Sequence, residues 1–302
     1  MIPALVLTAG LATRLRPLSL VRAKAALPVG DQALVQRILR WLAGHDVTDA
    51  VLNLHHLPHT ITAIVGNGAA DGVRVRYSWE MPVLGSAGGP RHALPLLTTS
   101  PFLIVNGDTL TDVDVSAVLS EHRRSGALVT LAAIPNTDPM KYSGLAVDAV
   151  GIFRGVVPRG SSERSYHFIG VQVAEADAFA TLPDNRPFES IRQLYPSLIA
   201  SRPGSVRTFV TQADFSDIGT PGDYLNTCLR FAPRADECVV WEDVEVHPDA
   251  RLRRCILTDG VRVPAGSSWE NMTIRVAHGE LLSTERLVGE LAIGPIDGST
   301  RR

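Results

Sequence analysis

Short apolar runs alternate with segments of helical period through the first half of the chain, and this alternation narrows the fold more than any other feature. Ala4 to Thr8, Val51 to Leu54, Val73 to Tyr77, Phe102 to Val105 and Leu128 to Ile134 read as strands. Runs that are apolar throughout suit strands covered on both faces, as in a parallel sheet with crossover helices. Between them, Leu34, Val35, Ile38, Leu39 and Leu42 recur at helical spacing behind Asp31 as N-cap, and Gly44 is the stop. His59 to Val65, Pro90 to Leu97 and Ala117 to Ser125 read as further helices. The expectation is an α/β fold around a mainly parallel sheet flanked by helices.

The texture then changes twice. From Ser143 to Val173 short β segments separated by turns predict an antiparallel insertion that covers one side of the sheet, as a lid over a substrate would. Helices resume near Glu189 to Ala200 and Pro221 to Phe231. After Pro233, residues such as Val244, Val246, Ala250, Leu252, Ile256, Val261, Val263 and Ile274 recur between Pro-Asp, Asp-Gly and Ala-Gly turns. That repeat reads as about two coils of a short, degenerate left-handed β-helix, too few for an acyltransferase site and suited to an oligomer contact or a cap. The expected division is 1–232, 233–292 and a frayed tail, 293–302.

A net charge of −2 over 302 residues gives no electrostatic footprint for nucleic acid or an anionic membrane. No run approaches the ~18 apolar residues of a membrane helix. Three cysteines, Cys228, Cys238 and Cys255, include no CxxC pair and suit reduced thiols. The start, MIPALVLTAG, lacks a basic flank or cleavage pattern and reads as a first buried strand. A cytoplasmic location is expected.

The chemistry concentrates behind that first strand, in LTAGLATRLRPLSLVRAKAALPV. Of the 29 Lys and Arg residues only two are lysines, Lys24 and Lys141. A chain that elsewhere uses arginine has kept a compact ammonium at a fixed distance behind a glycine turn, and the two cations are not interchangeable at a phosphate. Small residues let backbone N–H groups of such a turn, with a following helix N-terminus, surround an anion. The spacing is not that of a Walker loop. Asp108 follows the strand Phe102 to Val105, at the end where open α/β sheets bind ligands.

LTAGLATRLRPLS followed by KAALPV resembles the GxGTRLRPLT and KxxxPV signature of sugar-1-phosphate nucleotidylyltransferases, and the similarity continues in WEMPVLGSAGG, FLIVNGDTLTDVD and FSDIGTPGDY. The resemblance implies a Rossmann-like, nucleotide-diphospho-sugar transferase fold and a reaction between a nucleoside triphosphate and a sugar 1-phosphate. It implies catalytic roles for Arg14, on the β and γ phosphates, and Lys24, between the α phosphate and the sugar phosphate. Leu7, Ala9, Gly10, Leu11, Ala12, Thr13, Glu80, Gly85 and Ser86 would bind the nucleotide, with Glu80 accepting from a ring N–H of the base. Asn106, Tyr142, Gly144, Arg159 and Gly170 would line the sugar, and Asp108 with Asp217 would hold Mg²⁺.

The chain departs from its relatives on the sugar side. The EKP motif is missing from FRGVVPRGSSERSYHFIGV, and Arg154 or Arg159 is the candidate for the lost cation. The lost motif resembles N-acetylmuramate-1-phosphate uridylyltransferases, whereas DIGTPGDY and the trailing repeat resemble mannose-1-phosphate guanylyltransferases; base and sugar stay open. A catalytically inactive regulatory homologue is the alternative, opposed by the retained Arg14, Lys24, Asp108 and Asp217. His55 and His56 would point to opposite faces of a strand. Trp41, Trp79, Trp241 and Trp269 read as packing residues.

Overall fold

The computed structural model describes residues 2–297. The chain forms two compact units, one of residues 1–10 and 35–216, the other of 11–34 and 217–302. Among the described residues no helix is long and apolar enough to cross a membrane.

In the first unit the apolar runs become the strands β1 (Ala4–Leu7), β2 (Asp49–Leu54), β3 (Arg74–Trp79), β4 (Phe102–Asn106) and β5 (Val129–Pro135). They are joined by β6 (Gly144–Val147), β7 (Phe153–Val157), β8 (Tyr166–Ala174) and β9 (Val206–Val210). The central order is β3-β2-β1-β4-β8-β5-β9. Every neighbouring pair among β3, β2, β1 and β4 is parallel, as is β5 with β9, and β8 alone runs antiparallel between β4 and β5. This is the expected mostly parallel mixed sheet. Leu5, Val6, Leu103 and Ile104 are completely buried, each side chain contributing about 1.5–3 kcal/mol.

The insertion lies in the plane of the sheet, not over it. Gly170, at φ 77, sits where the register of β8 against β5 shifts, and Tyr166 in the first half of β8 pairs with Leu145 of β6, which in turn pairs with β7. A bulge that bends one strand lets it serve two neighbours in succession. Four helices connect the strands of this unit through expected segments: Leu34–Gly44, Pro58–Val65, Gly85–Ala93 and Val115–Ser125. The first begins beyond Asp31, which precedes the short strand Gln32–Ala33. Gly85–Ala93 begins five residues before the expected Pro90, because the carbonyl of Phe188 accepts from Ala87 N at 2.8 Å and Gly88 N at 3.1 Å and so satisfies its first turn.

The second unit holds the helix Pro221–Phe231 and a set of short strands that repeat with a constant offset. Val239 pairs in parallel with Ile256, Glu245 with Arg262 and Arg251 with Ser268, in each case seventeen residues on. Ile256 continues the first ladder to Thr273. Cys238, Cys255, Leu257, Val261, Val263, Trp269 and Ile274 fill the interior of this stack, and Cys228, Cys238 and Cys255 form no disulfide. Ile293, expected in a frayed tail, is instead buried in the strand Leu291–Pro295, antiparallel to Met272–Val276. The rest of that tail, from 298, lies outside the described residues. Of the tryptophans read as packing residues, Trp241 and Trp269 are buried, whereas Trp79 is 60% exposed because it ends β3 at the rim of the sheet.

Candidate active site

The first unit gathers its polar residues at the C-terminal ends of β1, β2 and β4. Asn53, near the end of β2, accepts from Thr8 N at 2.6 Å through Oδ1, and its carbonyl accepts from the Thr8 hydroxyl. Its Nδ2 donates to Glu80 Oε1 at 2.7 Å, while Leu84 N donates to Glu80 Oε2 at 2.8 Å. Gly89 closes the network, since a Cβ there would stand 2.7 Å from Glu80 Oε1 and 3.0 Å from Asn53 Nδ2. Glu80 is only 4% exposed. A buried carboxylate with both oxygens bonded inside the protein does not suit the expected acceptor for a base. Its geometry is that of a brace between the turn after β1 and the glycine loop before Gly85–Ala93. Ala9 departs in the same way, being 2% exposed with its N–H directed 3.3 Å to Asn53 Oδ1. Gly10 is exposed, and a Cβ on it would meet no atom within 4 Å.

Close backbone approaches set the rest of the rim. A Cβ on Gly107 would lie 2.6 Å from Leu7 O, so the Asn-Gly-Asp turn fits β1 only without one. Gly170 packs so that its Cβ would come within 3.0 Å of both Asn106 Cβ and Thr109 Oγ1. Asp108 follows on that turn and accepts from Thr109 Oγ1 at 3.2 Å. Gly85, at φ 75, approaches Glu189, and Ser86 Oγ donates to Glu189 Oε2 at 2.8 Å.

These approaches enclose a pocket of about 330 Å³, lined by Leu7, Ser86, Asn106, Gly144, Gln172 and Ser190, among others. Of the expected site residues it therefore collects Leu7, Ser86, Asn106 and Gly144. Gly170 packs against one of its walls, and Tyr142 packs on another, with its ring tilted 43° to that of His167 and 4.2 Å from it. Burial, with the nearby Lys141 charge, pushes the pKa of His167 down to about 4, so it lines the pocket as a neutral imidazole. Arg159 lies outside this pocket, on an adjoining chamber, and Arg154 is held by Asp148 at 2.6 Å. Val156 lines the pocket within the stretch that lacks the EKP motif.

Gln172, Glu189, Ser190 and Arg192 were not anticipated. Gln172 had a signal, a lone amide in the apolar strand YHFIGVQV. Its Oε1 accepts from the Tyr195 hydroxyl at 2.5 Å, which leaves the amide nitrogen as the donor available to the pocket. The other three come from the segment around Ser190–Leu194, remote in sequence from every motif.

The second unit carries Arg14, Lys24 and Asp217. Leu11 and Thr13 are exposed, and Ala12 takes the left-handed conformation at φ 47, with its carbonyl accepting from Ser19 Oγ at 2.9 Å. Beyond Ala12 the chain makes the single 3₁₀ turn Thr13–Leu15 and not the expected helix, so any anion there would meet turn amides and arginines without a helix dipole. Lys24 opens another 3₁₀ turn, Lys24–Ala26. Gly219 is crowded by Asp217 Oδ2 and Asp223 Oδ2, each 3.2 Å from the place of a Cβ, and Arg14 lies 3.8 Å from it, so Arg14 and Asp217 approach one another around this glycine. Arg14 and Arg16 share a cavity of about 380 Å³ with Thr220 and Pro221. Among the described residues no three His, Cys, Asp or Glu side chains form a metal cage. Asp108 in the first unit and Asp217 in the second each carry a hard carboxylate oxygen donor.

A nucleotidyl transferase family model matches residues 3–231. Mannose-1-phosphate guanylyltransferase of Mycobacterium tuberculosis is 26% identical over 88% of this chain and 82% of its own length. UTP–glucose-1-phosphate uridylyltransferase of Synechocystis is 24% identical over 97% of this chain and 78% of its own length. Among solved structures, HddC from Yersinia pseudotuberculosis shares the fold at a TM-score of 0.68 and 22% identity, covering 76% of this chain and all of that one. The pocket at the strand ends and the arginine-bearing turn thus stand on a scaffold with known relatives: the chain is a member of the nucleotidyl transferase family.

Proposed function

We propose that the protein joins a nucleoside triphosphate to a sugar 1-phosphate, giving a nucleotide-sugar and pyrophosphate. The observation that carries the reading is the pocket of the first unit, walled by Leu7, Asn106, Gly144 and Gln172 at the strand ends, in a chain matched by the family model over most of its length. An oxygen of the sugar phosphate attacks the α phosphorus in line, and the bond from that phosphorus to the bridging oxygen breaks as pyrophosphate leaves. With a second pKa near ~6 the sugar phosphate is largely dianionic at pH 7 and needs no general base. The protein's task is to hold two repelling anions in register.

Arg14 suits the β and γ phosphates through its planar fork, and Lys24 the junction of the α phosphate with the incoming phosphate. Leu11, Ala12, Thr13, Gly10, Gly85 and Ser86 contribute to the nucleotide site, with Ala9 and Glu80 behind it as bracing. Asp108 and Asp217 are the residues assigned to Mg²⁺, which would neutralise phosphate charge when bound. Relatives named as guanylyl- and uridylyltransferases match at similar identity, so the base stays undecided. The seventeen-residue register supports reading the C-terminal strands as a short left-handed β-helix. Three buried cysteines outside any disulfide support a reducing, cytoplasmic setting.

The test is a pyrophosphate-release panel crossing GTP, UTP and dTTP with mannose, glucose, N-acetylglucosamine and N-acetylmuramic acid 1-phosphates in the presence of Mg²⁺. At least one pair should turn over. Asp108→Asn and Asp217→Asn should each abolish that turnover with little change in Tm; silence of every pair would reject the reading.

A further inference from the structure

The sugar-side pocket does not end where a simple hexose would. It adjoins a second chamber of about 660 Å³, and the two share Ser143, Val156, Ile191 and Arg192 in their linings. The outer chamber adds Lys141, Pro158, Arg159 and Pro196. Its lining therefore holds three cations, Lys141, Arg159 and Arg192, and no carboxylate among the described residues. The Lys141 ammonium lies 5.0 Å from the Tyr142 ring centroid, a cation–π contact beside this lining.

The position of these cations decides what they face. In the proposed reaction the 1-phosphate must lie toward the nucleotide, at the strand ends marked by Leu7 and Asn106. Both residues line the inner pocket, and neither lines the outer one. A sugar whose phosphate is directed to the strand ends therefore presents its far side to the outer chamber. Val156, apolar and shared by both chambers, offers no polar partner at the junction. Lone surface cations are ordinary, but three in the lining of one concavity that holds no carboxylate give it a positive field where an anion is favoured.

We infer that the sugar 1-phosphate carries a second acidic group, a carboxylate or a further phosphate on the side away from the anomeric carbon, and that Lys141, Arg159 and Arg192 receive it. This rests on the proposed nucleotidyl transfer and narrows its substrate class. It also changes the role of Arg159, which receives the distal anion and does not substitute for an EKP cation on the 1-phosphate.

The experiment compares matched pairs of sugar phosphates with and without the second acid: N-acetylmuramic acid against N-acetylglucosamine 1-phosphate, glucuronic acid against glucose 1-phosphate, and glucose 1,6-bisphosphate against glucose 1-phosphate. For at least one pair kcat/KM for the acidic member should be about tenfold higher or more. Which pair responds separates a carboxylate from a phosphate. In Arg159→Gln and Arg192→Gln that preference should fall severalfold or more, carried by KM. Equal values within every pair, or a KM increase that is the same for acidic and neutral members, would overturn the inference, since the cations would then be serving the shared 1-phosphate. Calorimetric binding of the same pairs reads the preference without turnover. Absence of turnover with a preference for the acidic member would remove the proposed reaction and leave the anion site standing, and binding without preference would remove the site.

Discussion

At the scale of single residues, two glycines of the same rim should respond oppositely to one added methyl. Gly107→Ala places a Cβ 2.6 Å from Leu7 O, a backbone atom that cannot turn aside. The expected result is a loss of about 1–3 kcal/mol in denaturant unfolding, with turnover falling alongside. Gly10→Ala meets no atom within 4 Å, so its stability should stay within about 0.5 kcal/mol, while KM for the triphosphate rises severalfold. A normal KM would take Gly10 out of the proposed nucleotide site. Glu80→Gln sets a donor against either Asn53 Nδ2 or Leu84 N and should cost about 1–3 kcal/mol, without the exchange of base preference expected of a residue that reads the base. His167 adds a pH dependence. Its folded pKa of about 4 lies below the ordinary histidine value of 6.5, so the unfolded chain binds more protons between those values. The stability from its burial is full above pH ~6.5 and is lost as pH falls toward ~4. The difference in urea midpoint between pH 7 and pH 5 should therefore shrink in His167→Phe. The sequence made the glycines and Asp108 legible through their motifs. It could not reveal that Glu80 is internally bonded, because that depends on Asn53, contributed by another strand.

At the scale of elements, the segment after Glu189 shows where periodicity stops being informative. The expected single helix divides into a π turn, Ser190–Leu194, and the short helix Tyr195–Ser201. Pro196 has no N–H and its ring crowds the carbonyl four residues back, so the widened turn before it relieves the conflict. Tyr195 thereby points its hydroxyl to Gln172 Oε1 in β8, and Ser190 meets Ser86. Tyr195 is completely buried, and burial raises its pKa, so it stays a neutral donor. Tyr195→Phe should leave Gln172 free to rotate, raising KM for the sugar phosphate more than it changes kcat or KM for the triphosphate. Equal effects on both substrates would point to general loosening of the unit. The strands were readable because continuous apolar runs suit only a doubly covered sheet, whereas the in-plane course of β6 and β7 depends on the bend at Gly170, which the sequence marks only with a glycine.

At the scale of the whole molecule, the grouping of residues 11–34 with 217–302 alters what the C-terminal strands are expected to do. Arg22, on the segment between Arg14 and Lys24, donates to Asp259 through Nε at 2.7 Å and NH2 at 2.8 Å, and its side chain is 11% exposed. Tyr224 donates its hydroxyl to Pro28 O at 2.6 Å and accepts there from Trp241 Nε1 at 2.8 Å. The segment proposed to bind phosphate is thus fastened, within its own unit, to the stacked strands. A cap or oligomer contact that could be deleted while sparing turnover would lack such ties. Asp259→Asn removes the charge that satisfies a mostly buried guanidinium, leaving Glu242 at 3.1 Å with a side chain 80% exposed. The expected cost is about 2 kcal/mol, with KM for the triphosphate raised as the segment carrying Arg14 and Lys24 loosens. Removal of residues 234–302 should act in the same direction and more strongly, depressing turnover whether or not the assembly state changes. Sedimentation and steady-state kinetics on that truncated chain decide the matter: altered assembly with intact turnover would return the C-terminal strands to the role of an oligomer contact alone.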